Sequence, residues 1–152
     1  AVQQNGNALN YVPKEFRTEE LYKLAVQQDG YALEYIPKNM RTEELCKLAV
    51  QSNGYALNKI PEAMRTEEIC KLAVQNNGYA LECVPKQYKT EELCKIAFQQ
   101  NEQVLVFIPE ELKEKMKQYI KPEIIQIPED KYQQTFSEIR SFFPEKSLSL
   151  TL

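Results

Sequence analysis

The sequence predicts an all-α protein: an α-solenoid of tandem two-helix repeats, each 24 residues long, closed by a C-terminal helical cap. Three observations carry that expectation. The string RTEELYKLAVQQDGYALEYIPKNM, residues 17–40, returns at Arg41 and at Arg65 with few changes and at Lys89 in a decaying form. Inside each copy, apolar residues recur at the i, i+3 and i+4 spacing of a helix that faces a core. A glycine followed by Tyr-Ala-Leu breaks that helix at the same place in successive copies. A unit this short cannot bury its own apolar face, and tandem copies bury theirs by stacking on one another.

The full units are residues 17–40, 41–64 and 65–88, with a degenerate fourth at 89–109. Residues 1–16 reproduce residues 25–40, so the first unit reads as partial, with its upstream half lying before Ala1. An uncovered apolar flank on that side is expected to favour end-to-end association. Residues 110–143 read as capping helices and 144–152 as a tail.

Taken in order, each unit opens on a threonine, Thr18, Thr42, Thr66 or Thr90, followed by two glutamates. A threonine there caps a helix, and the glutamates sit in its positive first turn. The inward stripe of this first helix is read as Leu21, Leu24, Ala25 and Gln28, with Tyr22 and Val26 beside it. Glu19 with Lys23, and the equivalent pairs Glu43 with Lys47, Glu67 with Lys71 and Glu91 with Lys95, are i,i+4 pairs expected on a solvated face. The helix ends at Asp29-Gly30, Asn53-Gly54 or Asn77-Gly78, and the glycine is expected to take the left-handed conformation that closes helices. A short second helix, residues 31–36, turns Ala32, Leu33 and Ile36 inward. Pro37, Pro61, Pro85 and Pro109 open a connector holding one apolar anchor: Met40, Met64, Tyr88 or Leu112.

The fourth unit departs from this pattern. Glu102 stands for the glycine and Gln103 for the tyrosine, and the second helix becomes Val104-Leu105-Val106-Phe107-Ile108. Repeat stacks need an atypical last unit to cover their end. Leu112, Met116 and Tyr119 or Ile120 fit one amphipathic capping helix, and Tyr132, Phe136, Ile139 and Phe143 fit another over residues 129–143.

Composition narrows the chemistry. The chain has 152 residues, is 43% hydrophobic and 27% charged, and carries a formal charge of −3. No apolar run approaches the roughly 20 residues of a membrane span. The charge is spread thinly, −1 over residues 17–40, zero over 41–64 and 65–88, and −3 over 89–112. No positive stripe is available to track phosphates, which disfavours nucleic acid. There is no histidine, so the commonest general base and most zinc sites are missing. Cys46, Cys70 and Cys94 occupy one column, a repeat apart, about 8–10 Å where helices are neighbours, and too far for a disulfide. They read as buried thiols of a reducing compartment, which implies a cytoplasmic protein. No cofactor is expected and no catalytic constellation is visible.

What varies from unit to unit is the candidate site. The column Tyr11, Tyr35, Lys59, Cys83, Phe107 changes at every step, as do Lys38, Glu62 and Lys86 in the connector. A solenoid that recognises a protein varies its exposed column in this way. Tyr31, Tyr55 and Tyr79 recur after the glycine and form a ladder, suited either to packing between units or to stacking bases, one base per unit. A third possibility is a spacer or targeting region for a catalytic domain elsewhere in a longer protein.

The core string EELCKLAVQSNGYAL, residues 43–57, resembles the short tandem repeats of a domain-of-unknown-function family found in large, uncharacterised proteins of intracellular bacterial pathogens and of protists. Many of the bacterial members are candidate secreted effectors. The resemblance covers about residues 1–109; the C-terminal part departs from it. It implies an α-solenoid with a host-facing scaffold role, acting in the host cytoplasm if the protein is such an effector. It brings no catalytic or ligand residues and names no partner.

Overall fold

A computed structural model describes residues 6–120, and residues 6–119 belong to one compact unit. The expected capping segment over residues 129–143 and the tail at 144–152 lie outside the described residues. The architecture is an all-α solenoid, and among the described residues there is no strand. Four α-helices of equal length, α1 (Glu19–Gln28), α2 (Glu43–Ser52), α3 (Glu67–Asn76) and α4 (Glu91–Gln100), stack in series, each on the next.

Each α-helix starts as its sequence predicts. Thr18, Thr42, Thr66 and Thr90 accept from the main-chain N–H three residues on, at 3.2–3.3 Å. Each cap satisfies an N–H that has no partner within the helix. The buried stripe differs from the expected one. Tyr22, Ala25 and Val26 are buried in α1, joined in later helices by Leu45, Ile69 and Leu93. Leu24 is half-buried and Gln28 exposed.

The second helix of the unit is a six-residue 3-10 helix: Gly30–Tyr35, Gly54–Lys59, Gly78–Cys83 and, in the last unit, Glu102–Phe107. Ala32, Leu33 and Ile36 are buried as expected. Its first turn is held by the residue that ends the α-helix. Asp29, Asn53, Asn77 and Asn101 are extended and accept, through a side-chain oxygen, from the N–H two residues on at 2.8–3.0 Å. One residue therefore stops one helix and caps the next.

The left-handed glycine is not found: among the described residues no glycine has positive φ. What the position demands is absence of a side chain. A Cβ on Gly30 would strike the Ala49 carbonyl oxygen of the next unit, one on Gly54 that of Ala73, and one on Gly78 would lie 2.9 Å from that of Ala97. Glycine lets one unit's turn touch the next unit's helix backbone. Glu102 takes the glycine's place in the last unit.

The connectors are three-residue 3-10 turns, Lys38–Met40, Glu62–Met64 and Lys86–Tyr88. Their apolar residue is at most half-buried, as Leu112 is too. Phe16 is 67% exposed and Met40 44%, while Met64 and Tyr88 are half-buried. Beyond the fourth unit, α5 (Glu110–Met116) and a 3-10 turn (Lys117–Tyr119) pack on α4, burying Met116 fully and setting the Lys95 ammonium 4.4 Å from the centre of the Tyr119 ring. Among the described residues no helix is long and apolar enough to cross a membrane.

Side-chain amides tie the α-helices together. Asn76 accepts from Gly54 N–H at 2.7 Å and donates to the Gln51 carbonyl at 2.9 Å. One unit on, Gln100 accepts from Gly78 N–H at 2.7 Å and donates to the Val74 carbonyl at 2.8 Å. The same position in α2 is Ser52, too short to reach back. Ser52→Asn is expected to build the missing bridge to Gly30 and stabilise the protein by about 1 kcal/mol, a rise of roughly 2–4 °C in Tm by calorimetry.

Candidate functional site

The variable column lies on the 3-10 side of the stack, and its main chain does structural work that its side chains do not. Arg17, which follows a connector, donates from Nε to the Val12 carbonyl at 2.8 Å and from Nη1 to the Tyr35 carbonyl at 3.3 Å, in the following unit. Arg41 does the same to Ile36 and Lys59, at 2.8 and 2.9 Å, and Arg65 to Ile60 and Cys83, at 2.8 and 2.7 Å. Lys89 makes the cross-unit bond alone, to Phe107 at 2.9 Å. A guanidinium spans two carbonyls because its donors are fixed in a fork. Because the clamp grips main chain, the side chain at that position is free to change.

That explains how Tyr35, Lys59 and Cys83 replace one another, and the clamps were missed in reading the sequence. Their signal was present: a basic residue immediately before each capping threonine, at 17, 41, 65 and 89. The three variable side chains are half-buried, whereas Tyr11 is 86% exposed and Lys38, Glu62 and Lys86 are exposed. Lys59 pairs with Glu34 of the preceding unit at 3.1 Å. Burial raises the Cys83 thiol above its ordinary range, so it is no thiolate nucleophile at neutral pH.

The tyrosine ladder is half-buried, and the hydroxyls of Tyr55 and Tyr79 are bonded. Tyr55 donates to Glu82 Oε2 at 2.6 Å, a bond that pushes its hydroxyl up to about 12. Tyr79 bonds Gln103 Oε1 at 2.6 Å and accepts from Asn101 Nδ2 at 3.0 Å. Both of these hydroxyls reach into the following unit.

On the α-helical side, the glutamate-lysine pairs run between units as well as within them. Lys23 joins Glu19 at 3.7 Å and Glu44 at 3.3 Å; Lys47 joins Glu43 at 3.2 Å and Glu68 at 2.8 Å. Lys71 leans to Glu92 at 4.0 Å, and Glu91 is paired with Lys115 at 2.8 Å. Exposed pairs of this kind are screened by solvent and contribute little to stability. Between α3 and α4, Lys71, Tyr88, Thr90, Leu93 and Ile96 line a recess of about 50 Å³, room for a water and not for an organic ligand. Cys46, Cys70 and Cys94 are free and fully buried in one column, and among the described residues no group of three or more potential ligands is placed to hold a metal.

No curated protein and no solved structure matches the chain significantly. A family profile does, four times in overlapping register: the one described as Domain of unknown function (DUF4116), over residues 1–41, 18–65, 42–89 and 66–113. The last three matches advance by one structural unit each, from Thr18 to Thr42 to Thr66, and together the matches span most of the chain. The stack of capped α-helix, 3-10 helix and clamped connector is thus the fold of that repeat, and the chain belongs to the DUF4116 family of unknown function.

Proposed function

We propose that this chain is a non-catalytic scaffold that binds a protein partner through its 3-10 and connector face, as one segment of a larger secreted effector working in a host cytoplasm. The observation that carries the binding reading is a division of labour. Most recurrent residues cap, clamp, pack or pair, while among the residues that change, Tyr11 in the 3-10 column and Lys38, Glu62 and Lys86 in the connector column are exposed. Tyr35, Lys59 and Cys83, also in the 3-10 column, are half-buried. A protein is favoured over nucleic acid because the Glu82 carboxylate sits on the tyrosine ladder and repels a phosphate backbone, and because the clamping arginines already face main-chain carbonyls.

A photo-crosslinking amino acid placed in turn at Lys38, Glu62 and Lys86, and at Lys47 on the α-helical side, tests this in a host-cell lysate. One discrete protein adduct is expected from the first three positions and none from Lys47. Charge reversal at Lys38 and Lys86 together is expected to weaken that capture by at least tenfold with the circular dichroism spectrum unchanged. Adducts from Lys47 alone, or from no position, overturn the proposal.

A further inference from the structure

The turn between the two helices of a unit joins two residues that the stack requires for separate reasons. Asn53 and Asn77 end an α-helix and cap the 3-10 helix that follows, each accepting from the N–H of Tyr55 or Tyr79 at 3.0 Å. Gly54 and Gly78 come next because a Cβ there would press on the carbonyl oxygen of Ala73 or Ala97. Together they make Asn-Gly, the pair in which a main-chain nitrogen reaches the preceding side chain most readily, since glycine puts no Cβ in the way.

In that reaction the glycine nitrogen gives its proton to water and bonds to the asparagine Cγ, the Cγ–Nδ2 bond breaks, and ammonia leaves. Water then opens the cyclic imide at one carbonyl or the other, giving aspartate or isoaspartate. The ring closes only from an arrangement in which the two atoms meet in alignment. Asn53 and Asn77 are extended, with ψ of 108° and 112°, which turns the glycine nitrogen away from Cγ. The next unit fixes it there. Gly54 N–H donates to Asn76 Oδ1 and Gly78 N–H to Gln100 Oε1, both at 2.7 Å. Each of these amides is itself tied down through its nitrogen, Asn76 on the Gln51 carbonyl and Gln100 on those of Val74 and Gln75. Closing the ring therefore breaks the cap and the cross-unit bond together.

The other two turns lack the combination. Ser52 stands where Asn76 and Gln100 do and is too short to reach the Gly30 N–H, and there the residue before glycine is Asp29, whose carboxylate resists attack by an amide nitrogen. At the fourth turn Asn101 precedes Glu102 and not glycine. Among the described residues, Asn-Gly occurs only where the next unit holds the glycine N–H. Asp29 also shows what the turn tolerates. Its φ of −148°, its ψ of 113° and its bond from Tyr31 N–H at 2.9 Å match those of the asparagines, so aspartate fits. Isoaspartate would lengthen the main chain by one carbon where two units touch.

We propose that Asn53 and Asn77 are sites of spontaneous deamidation, each held shut by the amide that the following unit places on its glycine N–H. The inference is independent of any partner on the variable column.

The test follows deamidation by peptide mass spectrometry with isoaspartate detection, in the folded protein and in free peptides of the same sequence, at mildly alkaline pH. Both sites are expected to react at least about tenfold more slowly in the protein, because they react only after local opening. Gln100→Ala is expected to speed Asn77 about fivefold to tenfold, the weight of one hydrogen bond in that opening, and to leave Asn53 unchanged; Asn76→Ser, which copies Ser52, is expected to speed Asn53. Asp29→Asn creates an Asn-Gly pair without the bridge and is expected to react fastest of the three, and Ser52→Asn added to it to slow it again. Rates equal to those of the peptides, an unchanged Asn77 rate in Gln100→Ala, or Asp29→Asn no faster than Asn53 would each overturn the proposal. Equal acceleration of Asn53 and Asn77 in Gln100→Ala would overturn it too, by assigning the effect to loosening of the whole stack.

Discussion

Gly54→Ala is expected to lower the unfolding free energy by about 2–3 kcal/mol, the cost of forcing one methyl into a contact that has no slack. The new Cβ would meet the Ala73 carbonyl oxygen, Asn77 N at 2.9 Å and Asn77 Cβ at 3.0 Å. Two of these are main-chain atoms of the next unit, so neither can rotate away, and the units must separate. Gly78→Ala is expected to cost less, about 1 kcal/mol, because its nearest contact is 2.9 Å and another is the flexible end of Gln100. A small opposing gain of about 0.4–1 kcal/mol comes from the stiffer unfolded chain, and it applies equally to both. Urea unfolding of the two variants beside the parent protein measures the difference. Gly54→Asn separates this account from a turn requirement: asparagine is tolerated at left-handed positions, and here it is expected to be at least as damaging as alanine.

The glycine shows which parts of the fold were legible in the sequence. Signals that act within one unit could be read: the threonine three residues before the N–H it caps, the proline that opens the connector, and the columns of Ala25, Leu33 and Ile36 that fill the core. Requirements imposed by the next unit could not. Gly30 answers to Ala49, nineteen positions on, and Arg41 to the Lys59 carbonyl, eighteen positions on, and nothing local distinguishes either role from a turn glycine or a surface arginine. The start of the second helix, by contrast, is set inside the unit, by the extended residue that ends the α-helix and accepts from the N–H two residues on. In the candidate site, variation was visible as alternating residue types. The reason it is tolerated, a clamp on main chain beneath Tyr35, Lys59 and Cys83, was not visible.

Alkaline pH is expected to unfold this protein through its column of thiols. Burial pushes Cys46, Cys70 and Cys94 up to about 11 from an ordinary 9.0, against a weaker opposing pull from Arg41, Arg65 or Lys89. An acid whose folded pKa is raised is held neutral by the fold, so its contribution is whole below pH 9 and is lost as pH climbs through 11, while the unfolded chain ionises freely. At about 1.4 kcal/mol per unit, a net rise of about two units makes each thiol withdraw on the order of 2–3 kcal/mol across that window. Three together remove a large part of the roughly 5–15 kcal/mol that keeps a domain folded. Lysines add to the same trend: Lys23, Lys47 and Lys115 are raised by hydrogen bonds to Glu44, Glu68 and Glu91, and those bonds weaken as the ammonium groups lose their protons. Lys89, lowered by burial, works in the opposite direction and alone. Urea midpoints measured from pH 8 to pH 11 should therefore fall steeply above pH 9. Cys70→Ala should start lower by the small cavity it leaves and then fall less steeply, by about a third of the thiol contribution, because one of three ionisations has been removed. A parallel fall in the parent and in Cys70→Ala would assign the alkaline loss to the lysine pairs on the surface and not to the buried sulfur.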